Sequence, residues 1–307
     1  MVVFLIILFL LLIFAAVLYY FFSVAFVKLN MGNFEDMDDP VNKPLQKHRD
    51  VIEKGIDYIN NRPCEWVYTV SFDGLQLAAR YFPNSSDKTI ILFHGYRSSA
   101  SRDFSCAIEM YIRFGFNVLL CDQRSHGRSE GRLITFGVKE KYDALSWAKF
   151  VIAKYGTEKI ILDGISMGAT TVLLACGLDL PPEVKGIIAD CGFTSPIAII
   201  KKVAKQSMKI NASLILPFLN IYCKMFGKFS LYGSDTAEVM KKSKMPVLFI
   251  HGKDDGFVPC YMSEVAYNAN KEGRRLVLVD GADHGLSYLV DKELVEKELE
   301  EFLSKII

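Results

Sequence analysis

The stretch ILDGISMGATTVLLAC, residues 161–176, decides the fold. An apolar run leads to Asp163, then Gly164 and Gly168 flank Ser166 at two residues on either side, and an uncharged helix-forming segment follows. This is G-x-S-x-G between a strand and a helix, the setting of a nucleophile elbow. The glycines leave room for a sharp turn and for close packing of helix on strand. The helix start leaves backbone N–H groups free beside the hydroxyl, where they can stabilise an oxyanion. The plain alternative is a helix N-cap serine. The strand–turn–helix context favours the nucleophile.

A serine hydroxyl needs a base. The chain has five histidines, at 48, 94, 126, 251 and 284. His284 lies in DGADHG, after the last apolar run, where the order nucleophile, acid, histidine requires the base. His94 and His251 stand in HG pairs at strand ends and are expected to shape turns; His126 lies in the loop DQRSHGRSEG and His48 near the N-terminal segment. The acid should follow the preceding strand, where HGKDDGFVP offers Asp254 and Asp255. It would orient the imidazole and stabilise its charged form. Spacing does not choose between them. Asp283 adjoins His284, and chain neighbours in a tight loop rarely face each other. The oxyanion donors are expected to be the backbone N–H groups of Met167, after the nucleophile, and of Tyr96, in HGYRSS. The Tyr96 hydroxyl is an alternative substrate contact.

Outward from this centre, strands and helices alternate. KTIILFHG, FNVLLCD, KIILDG, VKGIIAD, PVLFIHG and RRLVLVDG read as strands, with helical SRDFSCAIEMYIRFG, KEKYDALSWAKFVIAKYG and MGATTVLLACGL between them and DKELVEKELEEFLSKI at the end. Such alternation implies a mostly parallel sheet covered on both faces. EWVYTV and LQLAARYF around Asp73-Gly74 read as a hairpin. Residues 194–244 hold no clear strand, too long a stretch for bare loop. PIAIIKKVAKQSMKI and SLILPFLNIYCKMF within it read as helices of a cap over the sheet end.

Residues 2–27 carry no charge. That length exceeds the roughly 20 apolar residues that cross a bilayer. A transmembrane anchor over 1–27 is expected, followed by a linker over 28–63 with a short helix at 45–61 and a catalytic domain over 64–307. Leu45, Val51, Ile52, Ile56 and Ile59 should form the stripe of that helix. A cleavable signal is the rival reading, with Ser23-Val24-Ala25 as its site, but it normally has a basic start and a shorter core. The lysines after the anchor are too few to fix the side of the membrane.

Composition narrows the partners. Lys plus Arg number 36 and Asp plus Glu 35, a net charge of +1. That balance gives no sign of a nucleic-acid partner, which would need a basic face. Seven cysteines without a CxxC pair suggest neither a zinc site nor a disulfide framework.

The blocks SFDGLQLAARYFP, ILFHGYRSS, DQRSHGRSEG, GISMGA, ADCGFTSP, PVLFIHGKDDGFVP and GADHG occur in an order that resembles the α/β-hydrolases, in the serine-aminopeptidase-like branch of esterases, peptidases and thioesterases. The resemblance implies an α/β-hydrolase fold with a helical cap. It also implies Asp255 as the acid, the fifth residue of an HGxxDxxVP block. Ser125 stands where that branch commonly has glycine, so this loop is expected to turn less tightly.

The expected activity is cleavage of a carboxylic ester through an acyl-enzyme on Ser166, with His284 and Asp255 completing a triad, on a small ester or acyl substrate. No metal or organic cofactor is expected. The same triad serves a serine peptidase or aminopeptidase, a thioesterase or an acyltransferase. A membrane-tethered binding module without catalysis is the reading from another class. Fold does not choose among them.

Overall fold

The computed structural model describes residues 1–29 and 32–307. Eight strands form one sheet: β1 (Glu65–Val70), β2 (Gln76–Phe82), β3 (Lys88–Phe93), β4 (Asn117–Cys121), β5 (Lys159–Ile165), β6 (Val184–Asp190), β7 (Val247–Gly252) and β8 (Arg274–Val279). Their order is β1-β2-β4-β3-β5-β6-β7-β8, with β2 antiparallel to both its neighbours, β1 and β4, and every other pair parallel. The helices are α1 (Val2–Phe26), α2 (Arg49–Asn61), α3 (Ala100–Asp103), α4 (Ile108–Arg113), α5 (Glu140–Tyr155), α6 (Met167–Ala175), α7 (Pro196–Ser207), α8 (Leu216–Gly227), α9 (Thr236–Lys242), α10 (Tyr261–Asn268), α11 (Ser287–Val290) and α12 (Lys292–Ile306).

Strand periodicity explains the two cores. Along β3, Ile91 and Phe93 face one side and Ile90 and Leu92 the other, because successive side chains alternate across a strand. The first side is covered by Trp147 and Val151 of α5, by α6 and by Met240 of α9. The second is covered by Ile59 of α2, Ile108 of α4 and Leu299 and Phe302 of α12. Both faces being buried, the strands read as continuous apolar runs. The chain has the α/β-hydrolase arrangement, a mostly parallel sheet between helices.

Several expectations change in detail. The helix expected across SRDFSCAIEMYIRFG is two, α3 and α4, split where the Ser105 carbonyl meets α2: a Cβ at Gly55 would lie 2.2 Å from that oxygen. The segment read as a linker is packed structure. Residues 40–48 form a 3-10 helix and α2 buries Ile52, Ile56 and Ile59, while Val51 is exposed. Residues 30–31 of that segment lie outside the described residues. The stretch read as a cap divides: α7 and α8 share a third core with Met167 and Phe193, whereas Met240 of α9 packs on the sheet. α1 is long and apolar enough to cross a membrane, and most of its surface is bare. It does not stand apart, however. Its Phe22 and Phe26 are buried against Phe136, Tyr222, Phe226 and Phe229, and Val27 pairs with Leu133 in a β-bridge.

Candidate active site

β5 ends at Ile165, and Ser166 stands alone between it and α6 with φ 56° and ψ −112°. This left-handed backbone is costly for a residue with a Cβ and persists only where the surroundings enforce it. The enforcement is close packing. A Cβ on Gly168 would lie 1.8 Å from the Phe93 carbonyl oxygen, and one on Gly164 would lie 2.2 Å from the Gly168 carbonyl carbon. Only two bare α-carbons let α6 approach β3 and β5 this closely. Ser166 occupies the N-cap position of α6, but its hydroxyl caps nothing.

The hydroxyl turns instead to His284, whose Nε2 is 2.9 Å from Oγ. His284 follows β8, and its Nδ1 is 2.7 Å from Asp255 Oδ2. Asp255 lies in the turn after β7, where its Oδ1 accepts from the N–H groups of Phe257 at 2.9 Å and Val258 at 2.7 Å. Burial raises its carboxyl pKa, but hydrogen bonds from His251 and His284 and the Val258 amide outweigh this and hold it at about 2. It is therefore a carboxylate at neutral pH. Asp254 is exposed and has no such contact. Asp283 accepts from the amides of Gly256 and His284, and so braces the loop.

The remaining histidines are structural. His251 is fully buried, with Nδ1 2.7 Å from Ser263 Oγ and Nε2 2.8 Å from the Val258 carbonyl. His94 Nε2 accepts from the Gln123 amide and His126 Nε2 from the Arg97 amide. Burial pushes both their pKa values down, which suits these acceptor roles. Ser125 holds its turn without glycine: it adopts φ 65°, and its hydroxyl donates to the Leu133 carbonyl at 2.9 Å.

The loop after β3 is clamped by residues the sequence did not single out. Asp103 Oδ2 accepts from the Gly95 amide at 2.8 Å, and Oδ1 accepts from the Ser98 hydroxyl. With the Gly95 and Arg97 amides both engaged, the Tyr96 amide between them donates to no protein atom among the described residues, and neither does that of Met167. The Tyr96 hydroxyl donates to the Ala25 carbonyl of α1 at 2.7 Å, and its ring stacks on Phe136. It is bound to α1, which engages its proton and leaves it only as an acceptor towards any other group. An acid eight residues beyond Gly95, at the end of the one-turn helix α3 and across an irregular loop from it, carries no sequence signal.

A cavity of about 230 Å³ opens beside Ser166 and His284, walled by Ile52, Met110, Tyr111, Phe257, Leu289 and Leu299. Behind the elbow two carboxyls are buried. Burial pushes Asp163 up to about 7, against a hydrogen bond from Tyr111, and pushes Asp190 up to about 6, against the His251 charge and a bond from Ser287. Among the described residues one group of possible metal ligands, Cys191, Asp255 and His284, lies within 4.8 Å. Burial drives the Cys191 thiol well up, and the other two already pair with each other, so the group is poorly suited to a metal.

Comparison with known proteins agrees with this architecture. Residues 84–222 match the family described as "Serine aminopeptidase, S33". The uncharacterized protein YqkD of Bacillus subtilis is 28% identical over 225 residues, covering 73% of either chain. The lysophosphatidylserine lipase ABHD12 of Mus musculus is 27% identical over 202 residues, covering 60% of this chain and 46% of that one. Among solved structures, the esterase Pf2001 of Pyrococcus furiosus superposes with a TM-score of 0.65 at 26% identity, over 81% of this chain and 93% of its own. The chain has the α/β-hydrolase fold, and over residues 84–222 it is similar to the serine-aminopeptidase-like branch of that superfamily.

Proposed function

We propose that the protein is a membrane-anchored serine esterase, with Ser166 as nucleophile, His284 as base and Asp255 as orienting acid. The observation that carries this reading is the unbroken chain from Ser166 Oγ through His284 to Asp255, at 2.9 and 2.7 Å. Ser166 attacks the ester carbonyl while its proton passes to His284 Nε2. The oxyanion takes hydrogen bonds from the N–H groups of Tyr96 and Met167. Collapse expels the alcohol, which leaves with the proton from Nε2. Water then attacks the acyl-enzyme, its proton passing to Nε2 and on to Ser166 Oγ as the acid departs.

The apolar cavity wall supports an acyl or aryl group beside the nucleophile. The esterase and lipase among the similar proteins favour the same chemistry. The family description favours a peptidase as second reading. That reading asks for a carboxylate to hold a substrate amine, and those lining the cavity, Asp103, Asp163 and Asp190, are already hydrogen-bonded, the last two also buried. Retention of α1 is supported by Phe22, which cleavage after Ala25 would strip from a packed core.

The test is turnover of p-nitrophenyl esters, from acetate to palmitate, by the full chain in detergent micelles, with Ser166→Ala as control. Serine-dependent turnover is expected. Phosphonate labelling of Ser166 without ester turnover would replace the esterase by a peptidase, thioesterase or transferase. A folded protein with neither would leave the binding module.

A further inference from the structure

The apolar surface does not end with α1. The cap helix α8 lies along it, with Phe14 against Phe218 at 5.3 Å, Tyr222 donating to the Ala15 carbonyl at 2.9 Å, and Tyr19 and Phe22 against Phe226 at 6.1 and 5.8 Å. The face of this unit turned away from the protein is bare. Leu214 is 78% exposed, Ile221 50% and Met225 66%, with Phe218 and Phe226 near half. Residues 218, 221 and 225 of α8 follow one another at three and four and form one helical stripe, with Leu214 exposed at the end of the 3-10 turn that precedes it.

Length says where this stripe sits. At about 1.5 Å per residue, the twelve steps from Val2 to Phe14 span roughly 18 Å, against about 30 Å for the hydrocarbon layer. If α1 spans a bilayer, about eight further residues, to Phe22, must lie in the same layer. Tilting the helix lengthens the required stretch. That stretch is where α8 is packed, so α8 shares its depth. Charge agrees. Between Thr194 and Ser234 there is no Asp or Glu, while Lys201, Lys202, Lys205, Lys209, Lys224 and Lys228 are present. All but Lys202 are well exposed. Such side chains lay their stems along apolar surface and reach anionic headgroups.

We infer that the 214–226 face of the cap is seated in the acyl layer of the bilayer beside α1, held at its rim by lysines on anionic lipid. This rests on α1 being a membrane span, as proposed above. The test reconstitutes the full chain in phosphatidylcholine–phosphatidylglycerol vesicles that carry a diazirine on a lipid acyl chain, then maps the photoadducts by mass spectrometry. Adducts are expected on Leu214, Ile221 and Met225 as well as on residues 2–13. In the triple variant Leu214→Glu, Ile221→Glu, Met225→Glu, the 214–226 adducts should vanish while those on α1 persist. Adducts confined to α1 would overturn the inference and leave the anchor standing. So would an α8 face cross-linked to a second copy of the chain in place of lipid. Adducts on neither helix would overturn the anchor as well.

Discussion

The elbow depends on a contact that can be broken with one methyl group. A Cβ on Gly168 would sit 1.8 Å from the Phe93 carbonyl oxygen, where ordinary contact begins at 3.4 Å. Gly168→Ala must therefore open α6 from β3 by about 1.6 Å, the difference of those two distances. Both partners are rigid backbone, so no side-chain rotation relieves the clash. If half of the movement passes to Ser166, its hydroxyl leaves His284 by most of an ångström, and a misplacement near 1 Å costs on the order of 100-fold in turnover. The overpacking itself should cost about 1–3 kcal/mol. Gly186→Ala is the matched control. Its Cβ meets the tip of Ile306, Cδ1 at 2.4 Å, which can swing aside. The assay is kcat on the best p-nitrophenyl ester together with a thermal melt. Gly168→Ala should lose kcat steeply while remaining folded, and Gly186→Ala should resemble the wild type. A Gly168→Ala enzyme within about threefold of wild-type kcat would refute the idea that this contact sets the nucleophile, since the required shift is near the sensitivity limit.

Three other outcomes follow from the same geometry. Asp255→Asn should lower kcat by about 10⁴ through the wrong imidazole tautomer, while Asp254→Asn leaves it nearly unchanged; equal losses in steady-state kinetics would reverse the assignment. Asp163 titrates near 7 when folded, against about 3.9 unfolded, so the folded state holds a proton that the unfolded state releases. Its contribution thus falls as pH rises from about 4 to 7, and Asp163→Asn should gain stability over the wild type across that window in urea titrations. A gain appearing only below pH 4 would contradict the sign. Tyr96→Phe loses the bond to Ala25 and should cost about 1 kcal/mol, read as a lower melting temperature, with kcat reduced and KM unchanged; a change in KM alone would return the hydroxyl to the substrate.

What the sequence reveals follows from how local each signal is. The strands are legible because both faces of the sheet are buried, so Ile90 to Phe93 are all apolar. Ser166 is legible because its glycines are chain neighbours, and His284 because it follows a strand. The choice between Asp254 and Asp255 leaves no mark in the residue types. It depends on which carboxylate the turn points inward, and that is fixed by the Phe257 and Val258 amides. The split between α3 and α4 depends on Gly55, some fifty residues earlier in the chain. Asp103 is invisible for the same reason, since it acts on Gly95 across a loop of no regular period.

The docking of α1 is the least legible feature, and it joins this helix to the candidate site. Its contacts with the loop are made by backbone carbonyls: Ala25 accepts from Tyr96, and Val24 and Val27 accept from Arg97. Carbonyl contacts leave no pattern in side chains, so residues 2–27 read as a detached span. Yet the last turn of that span exposes carbonyls no longer used within the helix, as every helix C-terminus does, and the loop after β3 supplies their donors. That loop is thereby held from three directions, by Asp103 at Gly95, by His126 at Arg97 and by α1 at Tyr96. Two of these clamps engage the amides on either side of Tyr96, whose own amide has no protein acceptor among the described residues. The third fixes the same residue to the helix that would enter the membrane. In this arrangement α1 is part of the scaffold of the candidate site, and detaching it would loosen the loop after β3 that carries the proposed oxyanion donor.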